Sequence, residues 1–315
     1  MHFPIAGIDV SPWVPPLTAL VVSFFTSMGG VSGAFLLLPF QVSVLGYTAP
    51  SVSATNQFYN VVAIPSGVYR FIREGRMVWP LTWMVVIGTL PGVLIGAIVR
   101  VKWLPDPTHF KLFAGLVLLY IGFRLVRDLT RKKAPGQDKA SAEKRFQEVV
   151  KAWKQKAAQS GEPLPTVRVL QFSATRIRYE FYGEVFDVSS VGIFMLSFIV
   201  GIIGGVYGIG GGAIIAPFFV TFFHLPVYTV AGAALMGTFV TSVAGVAFYQ
   251  AIAPFNPGMS VAPDWLLGLL FGLGGMVGMY LGARMQKHVP AKVIKWMLAV
   301  IIVYTGGKYV LGFLF

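Results

Sequence analysis

Residues 189–223 read SSVGIFMLSFIVGIIGGVYGIGGGAIIAPFFVTFF, 35 residues without one Asp, Glu, Lys or Arg. That length decides the fold class. About 20 apolar residues cross a bilayer, and tilt does not absorb so large an excess. In the middle stand Gly208-Ile209-Gly210-Gly211-Gly212. Glycine is the poorest helix former after proline, so the stretch reads as a broken or re-entrant pair of half-helices. Residues 14–45 follow the same plan, with Gly29-Gly30-Val31-Ser32-Gly33 at the break.

Working outward, each long stretch sits inside a larger uncharged run, 10–69 and 188–263. Of the 315 residues 56% are hydrophobic and 12% charged, where a soluble chain carries about 25% charge. The chain therefore reads as a polytopic membrane protein embedded in the lipid bilayer. Apolar stretches fall near 14–45, 50–70, 78–100, 109–127, 189–223, 227–253, 263–284 and 293–315. Cysteine is absent, which excludes disulfides, thiolate metal sites and a Cys nucleophile. The first ten residues lack Lys and Arg and so do not resemble a signal peptide. A net charge of +13 fits a basic cytoplasmic surface under the positive-inside rule, with no nucleic-acid partner.

The chain also repeats itself. Gly30-Val31-Ser32-Gly33 with Pro39-Phe40 matches Gly208-Ile209-Gly210-Gly211 with Pro217-Phe218 at a constant offset of 178. Gly92 to Ala97 matches Gly278 to Ala283, and Leu104-Pro105 matches Val289-Pro290. Duplication with interrupted helices in corresponding places marks a secondary transporter. If both long stretches are re-entrant, the halves are inverted. Nine of the 13 Lys and Arg outside the central insert then face the cytoplasm, including Arg284, Lys287, Lys292 and Lys295. If both span once, the count is six against seven. Charge favours inverted halves, with both termini outside.

Three parts follow: a first transmembrane repeat 1–127, an insert 128–188 and a second repeat 189–315. The insert opens on Arg131-Lys132-Lys133, then carries Phe146, Val149, Val150 and Trp153 at helical spacing. After Gly161-Glu162-Pro163-Leu164-Pro165, alternation at Val167, Val169, Ile177, Tyr179 and Phe181 suggests a hairpin. A small cytoplasmic α+β unit is expected, a linker domain or a docking and regulatory module. The fold class is thus an all-α polytopic membrane protein of two internal repeats, each a Gly-broken pair plus three spans.

Chemistry is narrowed by what the membrane stretches lack. Gly208-x-Gly210-x-x-Ala213 fits a dinucleotide fingerprint in form, but it has no preceding strand. All 12 acidic residues fall in loops, ends or the insert, and His2, His109, His224 and His288 are scattered. No catalytic residue, cofactor or metal is expected, and the protein does not read as an enzyme. An unwound backbone at membrane depth must line a cavity or be buried in protein. The half-helices restarting at Gly33 and Gly212 would aim positive dipole ends at the centre. Close packing between helices is the other use of such glycines. Ser53, Asn56 and Asn60 share a helix face, with Thr55 and Gln57 beside them, and the matching helix carries Thr238, Thr241 and Ser242. Interhelical hydrogen bonding is the alternative role for these polar groups. Lys111, Arg124, Lys295 and Lys308 read as snorkelling anchors, while Arg70 and Arg100 could draw anions to a vestibule.

These residues resemble the TauE/SafE sulfite-exporter family of bacterial membrane proteins. Gly208 to Gly212 with Pro217, the degenerate copy from Gly29 to Pro39, and Ser53-Ala54-Thr55-Asn56-Gln57 carry the likeness, over roughly 14–127 and 189–315. The first copy has a thinner glycine run, and the long insert is not typical. The resemblance implies transport of a sulfur oxyanion or organosulfonate across the cytoplasmic membrane. The expected substrate-binding set is Ser32, Gly33, Asn56, Gln57, Asn60, Gly210, Gly211, Gly212, Thr238 and Thr241, holding a small anionic substrate during alternating access. An anion-selective channel, or a scaffold or sensor acting through the insert, is the competing reading. A coupling ion would be H+, through the substrate's own protonation or His224, or Na+ held by unwound carbonyls. A homodimer is left open.

Overall fold

The computed structural model describes residues 1–28, 32–130, 165–285 and 291–314, with part of the stretch 146–161. Gly29, Gly30 and Val31 of the first glycine cluster lie outside the described residues, as do Arg131-Lys132-Lys133, Glu162-Pro163-Leu164, Lys287, His288 and Val289-Pro290. The chain opens with a short antiparallel ribbon, β1 (His2–Phe3) and β2 (Ile8–Asp9). Helices α1 (Val14–Met28), α2 (Ala34–Ser43), α3 (Ser51–Ala63), α4 (Pro65–Arg73), α5 (Trp79–Lys102) and α6 (Pro107–Thr130) follow. After the insert come α7 (Ser190–Tyr207), α8 (Ile215–Phe222), α9 (Val227–Ile252), α10 (Trp265–Met285) and α11 (Ala291–Leu314). Six helices among the described residues are long and apolar enough to cross a membrane, those built on α5, α6, α7, α9, α10 and α11.

The breaks have local causes. Helix α7 stops at Gly208, which takes the left-handed conformation at φ 77°, and Gly210 does so again at φ 76°. Glycine is the residue that ends a helix this way without a Cβ penalty. Within 50–70 the chain forms two helices rather than one, because Pro65 supplies no N–H to continue α3.

Helices pair through small residues. A Cβ on Gly92 would lie 2.8 Å from the backbone nitrogen of Ile202, and one on Gly205 would lie 2.8 Å from the Val93 Cα. Gly88 meets Ser197 in the same way, so α5 and α7 run side by side in the same direction. Gly274, Gly278 and Gly282 of α10 meet Pro16, Leu20 and Phe24 of α1, again in parallel. Helices α6 and α11 pack antiparallel, Gly115 against Tyr309 and Gly122 against Val303. Small residues let backbones approach and gain dispersion contacts that lipid would otherwise supply. Helix α8 doubles back, since Phe223 just beyond it packs on Gly192 at the start of α7.

The insert carries a three-stranded antiparallel sheet, β3 (Arg168–Phe172), β4 (Arg176–Phe181) and β5 (Glu184–Ser189). The third strand goes beyond the hairpin expected from alternation. It is added by a tight turn in which Tyr182 (φ 53°) and Gly183 (φ 80°) both have positive φ, the geometry of a two-residue hairpin turn. Phe146 packs edge-on or tilted against the rings of Phe181, Tyr182 and Phe186, an aromatic cluster continuous with the core of the helices. The sheet is also clipped to the helices. Tyr179 Oη donates to Thr229 Oγ1 at 3.1 Å, and the Val167 N–H donates to the Gly75 carbonyl at 3.2 Å. Strand β5 runs straight into α7, where Ser189 caps the helix by accepting from the Gly192 N–H.

Candidate functional site

Helix α3 organises the polar centre. Ser53, Asn56 and Asn60 are completely buried on one face of it. Asn60 Oδ1 accepts from Ser32 Oγ at 2.9 Å, while its Nδ2 donates to the Ile209 carbonyl at 2.9 Å and meets Ser242 Oγ at 3.3 Å. Asn56 Nδ2 donates to the Ala34 carbonyl at 2.9 Å and to the Gly208 carbonyl at 3.0 Å. One turn earlier, Ser53 Oγ donates to the Val206 carbonyl at 3.0 Å. A helix that stops leaves its last carbonyls without intrahelical partners, and lipid cannot satisfy them. Asn56 and Asn60 therefore each touch both broken segments, which brings the two breaks to one junction.

Helix α9 closes the other side with hydroxyls. Thr241 Oγ1 accepts from the Gly211 N–H at 3.0 Å and donates to the Gly237 carbonyl at 2.6 Å. Thr238 Oγ1 donates to the Ala234 carbonyl at 2.8 Å. Gly210 lies against Ser242 and Thr238, and Gly212 packs on Ala234 and Thr238 so closely that no Cβ would fit. Helices α2 and α8 begin at this junction, with Ser32 Oγ accepting the Ala34 N–H at 3.3 Å.

Most of the residues selected from sequence thus assemble: Ser32, Asn56, Asn60, Gly210, Gly211, Gly212, Thr238 and Thr241. Gly33 stands slightly apart, against Tyr59 and Ser23, whose hydroxyls are 2.7 Å from each other. Gln57 turns away from the breaks toward Gly245 on α9, and neither its Oε1 nor its Nε2 has a hydrogen-bond partner.

Other members of the junction lie outside that set. Gln41 donates to Asn56 Oδ1 at 3.2 Å and leaves its own Oε1 without a partner. It is the one amide in the apolar α2, which could have singled it out. Tyr207 Oη donates to the Phe35 carbonyl at 3.1 Å, and Tyr249 Oη to the Gly205 carbonyl at 3.2 Å. Neither tyrosine stands out among the aromatic residues of a membrane chain.

The junction is neutral. Its donors are amides, hydroxyls and peptide N–H groups, with no acid among the residues described above. No group of three or more His, Asp or Glu among the described residues is placed to hold a metal ion. Asp264 is buried, but it caps α10 by accepting from the Leu267 N–H at 3.0 Å and also takes the Ala6 N–H. Arg100 differs from a vestibule cation. It is fully buried, donates to the Thr48 carbonyl at 2.9 Å and to the Leu104 carbonyl, and stacks 3.8 Å over the Phe110 ring. Its charge is held by loop carbonyls and a π face. The Arg70 side chain lies outside the described residues.

The comparisons with known proteins agree with one another. A family profile described as sulfite exporter TauE/SafE matches residues 16–309. The chain is 24% identical over 302 residues to the probable membrane transporter protein YunE of Bacillus subtilis (strain 168), covering 96% of this chain and 82% of that one. It is 30% identical over 107 residues to the probable membrane transporter protein YdhB of the same organism, covering 34% and 40%. No solved structure matches.

Proposed function

The chain belongs to the sulfite exporter TauE/SafE family of membrane transporters, and from that premise we propose that it moves a small anion, a sulfur oxyanion or organosulfonate, across the bacterial cytoplasmic membrane by alternating access. The two halves, 1–127 and 189–315, are inverted repeats with both termini outside and the insert 128–188 in the cytoplasm. Two packing features support the inversion: the equivalent last helices of the halves, α6 and α11, run antiparallel, and α8 doubles back beside α7; the excess of basic residues supports the sidedness.

The observation that carries the reading is the pair of amides, Asn56 and Asn60, that hold the ends of both breaks together. An oxyanion competes for the same Nδ2 donors. When it takes them, the carbonyls of Gly208 and Ile209 lose these donors, that of Ala34 keeps only its helical bond, and the segments on either side of the junction can part. Gln57 joins the shell by swinging from Gly245 toward the junction, and its amide is buried and unengaged, a costly arrangement unless something fills it. Backbone N–H groups around Gly210, Gly211 and Gly212 and the Thr238 and Thr241 hydroxyls complete the shell. No carboxylate is needed for an anion, and none of the described residues at the junction carries one.

Proteoliposomes decide the matter. Sulfite, sulfate, thiosulfate and small sulfonates are each loaded inside, and saturable counterflow is expected for at least one of them. Asn60→Ala should cut that flux at least tenfold. Current without saturation or counterflow would instead mean a channel, and flux of none of these anions would reject the substrate class.

A further inference from the structure

We propose that a second oxyanion site lies at the end of the molecule where α2, α6 and α11 meet, apart from the junction of the breaks. A cavity of about 280 Å³ opens there, lined among others by Ser43, Thr108, Lys111, Lys308 and Tyr309. That volume lies just below the range of ligand pockets, about 300 to 1,000 Å³, and suits a compact charged head group.

The chemistry of the lining is one-sided. Lys111 on α6 and Lys308 on α11, two cationic side chains, line the same cavity, and no carboxylate is among its described lining residues. Neither lysine has an ion-pair or hydrogen-bond partner among the described residues. The acid nearest in sequence, Asp106, is engaged by the His109 N–H and Nδ1, each at 2.9 Å. Two like charges facing one space repel, and an anion placed between them turns that repulsion into two attractions. Thr108, in the first turn of α6, adds a hydroxyl beside the positive end of a 24-residue helix. The ligand class is therefore a phosphate, sulfate or sulfonate group, free or carried by a lipid head.

The site also has a mechanical link. Tyr309 Oη lies 2.7 Å from Ser43 Oγ and donates to the Pro39 carbonyl at 3.3 Å. Both partners belong to α2, the short helix that starts at the first break. An anion bridging Lys111 and Lys308 ties α6 to α11 and, through Tyr309, steadies α2. The site needs no part of the transport reading, and its test does not use transport.

Thermal unfolding of the purified full chain reads it out. In neutral detergent the protein is titrated with inorganic phosphate and with sulfate; in parallel it is placed in nanodiscs of phosphatidylcholine with and without phosphatidylglycerol. Wild type is compared with Lys111→Gln/Lys308→Gln and with Lys308→Gln alone, whose side chain is exposed and whose loss leaves packing intact. The expected result is a rise in Tm with phosphatidylglycerol, inorganic anion or both. The half-maximal concentration should be at least tenfold higher in the double variant and several-fold higher in the single one. A rise with the lipid alone assigns a lipid head group, and a rise with inorganic phosphate as well assigns a free oxyanion. No rise with any probe, or equal rises in wild type and Lys308→Gln, overturns the site.

Discussion

The two broken segments are packed alike but lined differently. On the first half, α3 offers amides: Asn56, Asn60 and Gln57, with Gln41 from α2 behind them. On the second, α9 offers hydroxyls: Thr238, Thr241 and Ser242. The amides reach across the molecule, linking α3 to carbonyls about 150 positions away in sequence. The threonine hydroxyls bond back to their own helix, Thr238 to Ala234 and Thr241 to Gly237, as β-hydroxyls commonly do. The difference teaches that one side braces the junction and the other lines it. Packing is shared between the halves, while the polar chemistry is divided.

The largest effect should come from what the halves share. At Gly92 a valine would drive its Cβ into the backbone of Phe198 and Ile202, and at Gly278 into the backbone of Leu20. Backbone cannot yield as a side-chain tip can, so each change is expected to cost at least the upper overpacking range, about 3 kcal/mol. Yield of monodisperse protein and Tm report it. Equal losses for Gly92→Val and Gly278→Val would sharpen the likeness of the halves. A large loss for one and none for the other would break it.

Next in size is the brace. Asn56→Ala removes donors from the Ala34 and Gly208 carbonyls and leaves Gln41 Nε2 only its 3.4 Å bond to Leu37. Unsatisfied buried groups cost about 1–3 kcal/mol each in water-soluble proteins, but interhelical bonds in membranes average nearer 0.6 kcal/mol. A loss of about 1–2 kcal/mol is expected, read as a fall in Tm in detergent. Thr241→Val should cost less, about 1 kcal/mol, because only the Gly211 N–H is orphaned. Thr238→Val should be milder still, at about 0.5 kcal/mol, since the Ala234 carbonyl is the only partner lost. If Thr238→Val destabilised as much as Asn56→Ala, the division between brace and lining would fail.

Sequence and structure part company at identifiable places. The glycine clusters in overlong uncharged runs were legible because a bilayer sets the length of a span, and any excess has to be explained. The shared face of Ser53, Asn56 and Asn60 was legible because helical spacing is arithmetic. What periodicity cannot supply is the partner: nothing near Asn56 points to the carbonyls of Ala34 and Gly208. Arg100 shows the same limit. As a charge at the end of an apolar stretch it suggests a vestibule, yet its partners are carbonyls of Thr48 and Leu104 in two different loops. The third strand of the insert was hidden because Tyr182-Gly183 is not one of the usual turn pairs. The step between α3 and α4 was written in Pro65, inside a stretch whose hydropathy ran on unbroken.

Gln57 carries the smallest expected loss of stability and separates most sharply a brace from a ligand group. Both its polar side-chain atoms are buried without partners, and the amide presses on Gly245. If its role were structural, Gln57→Leu would destabilise the fold as Asn56→Ala does. Because no hydrogen bond is lost and a buried unpaired amide is removed, Tm should instead stay level or rise, by the equivalent of up to about 1 kcal/mol. Transport should nevertheless fall at least tenfold, since the substrate loses the one amide not already engaged by the protein. The two readouts move in opposite directions only if the amide is kept for something that binds. A fall in Tm with flux unchanged would put Gln57 with the bracing residues and leave the substrate to the backbone of the breaks.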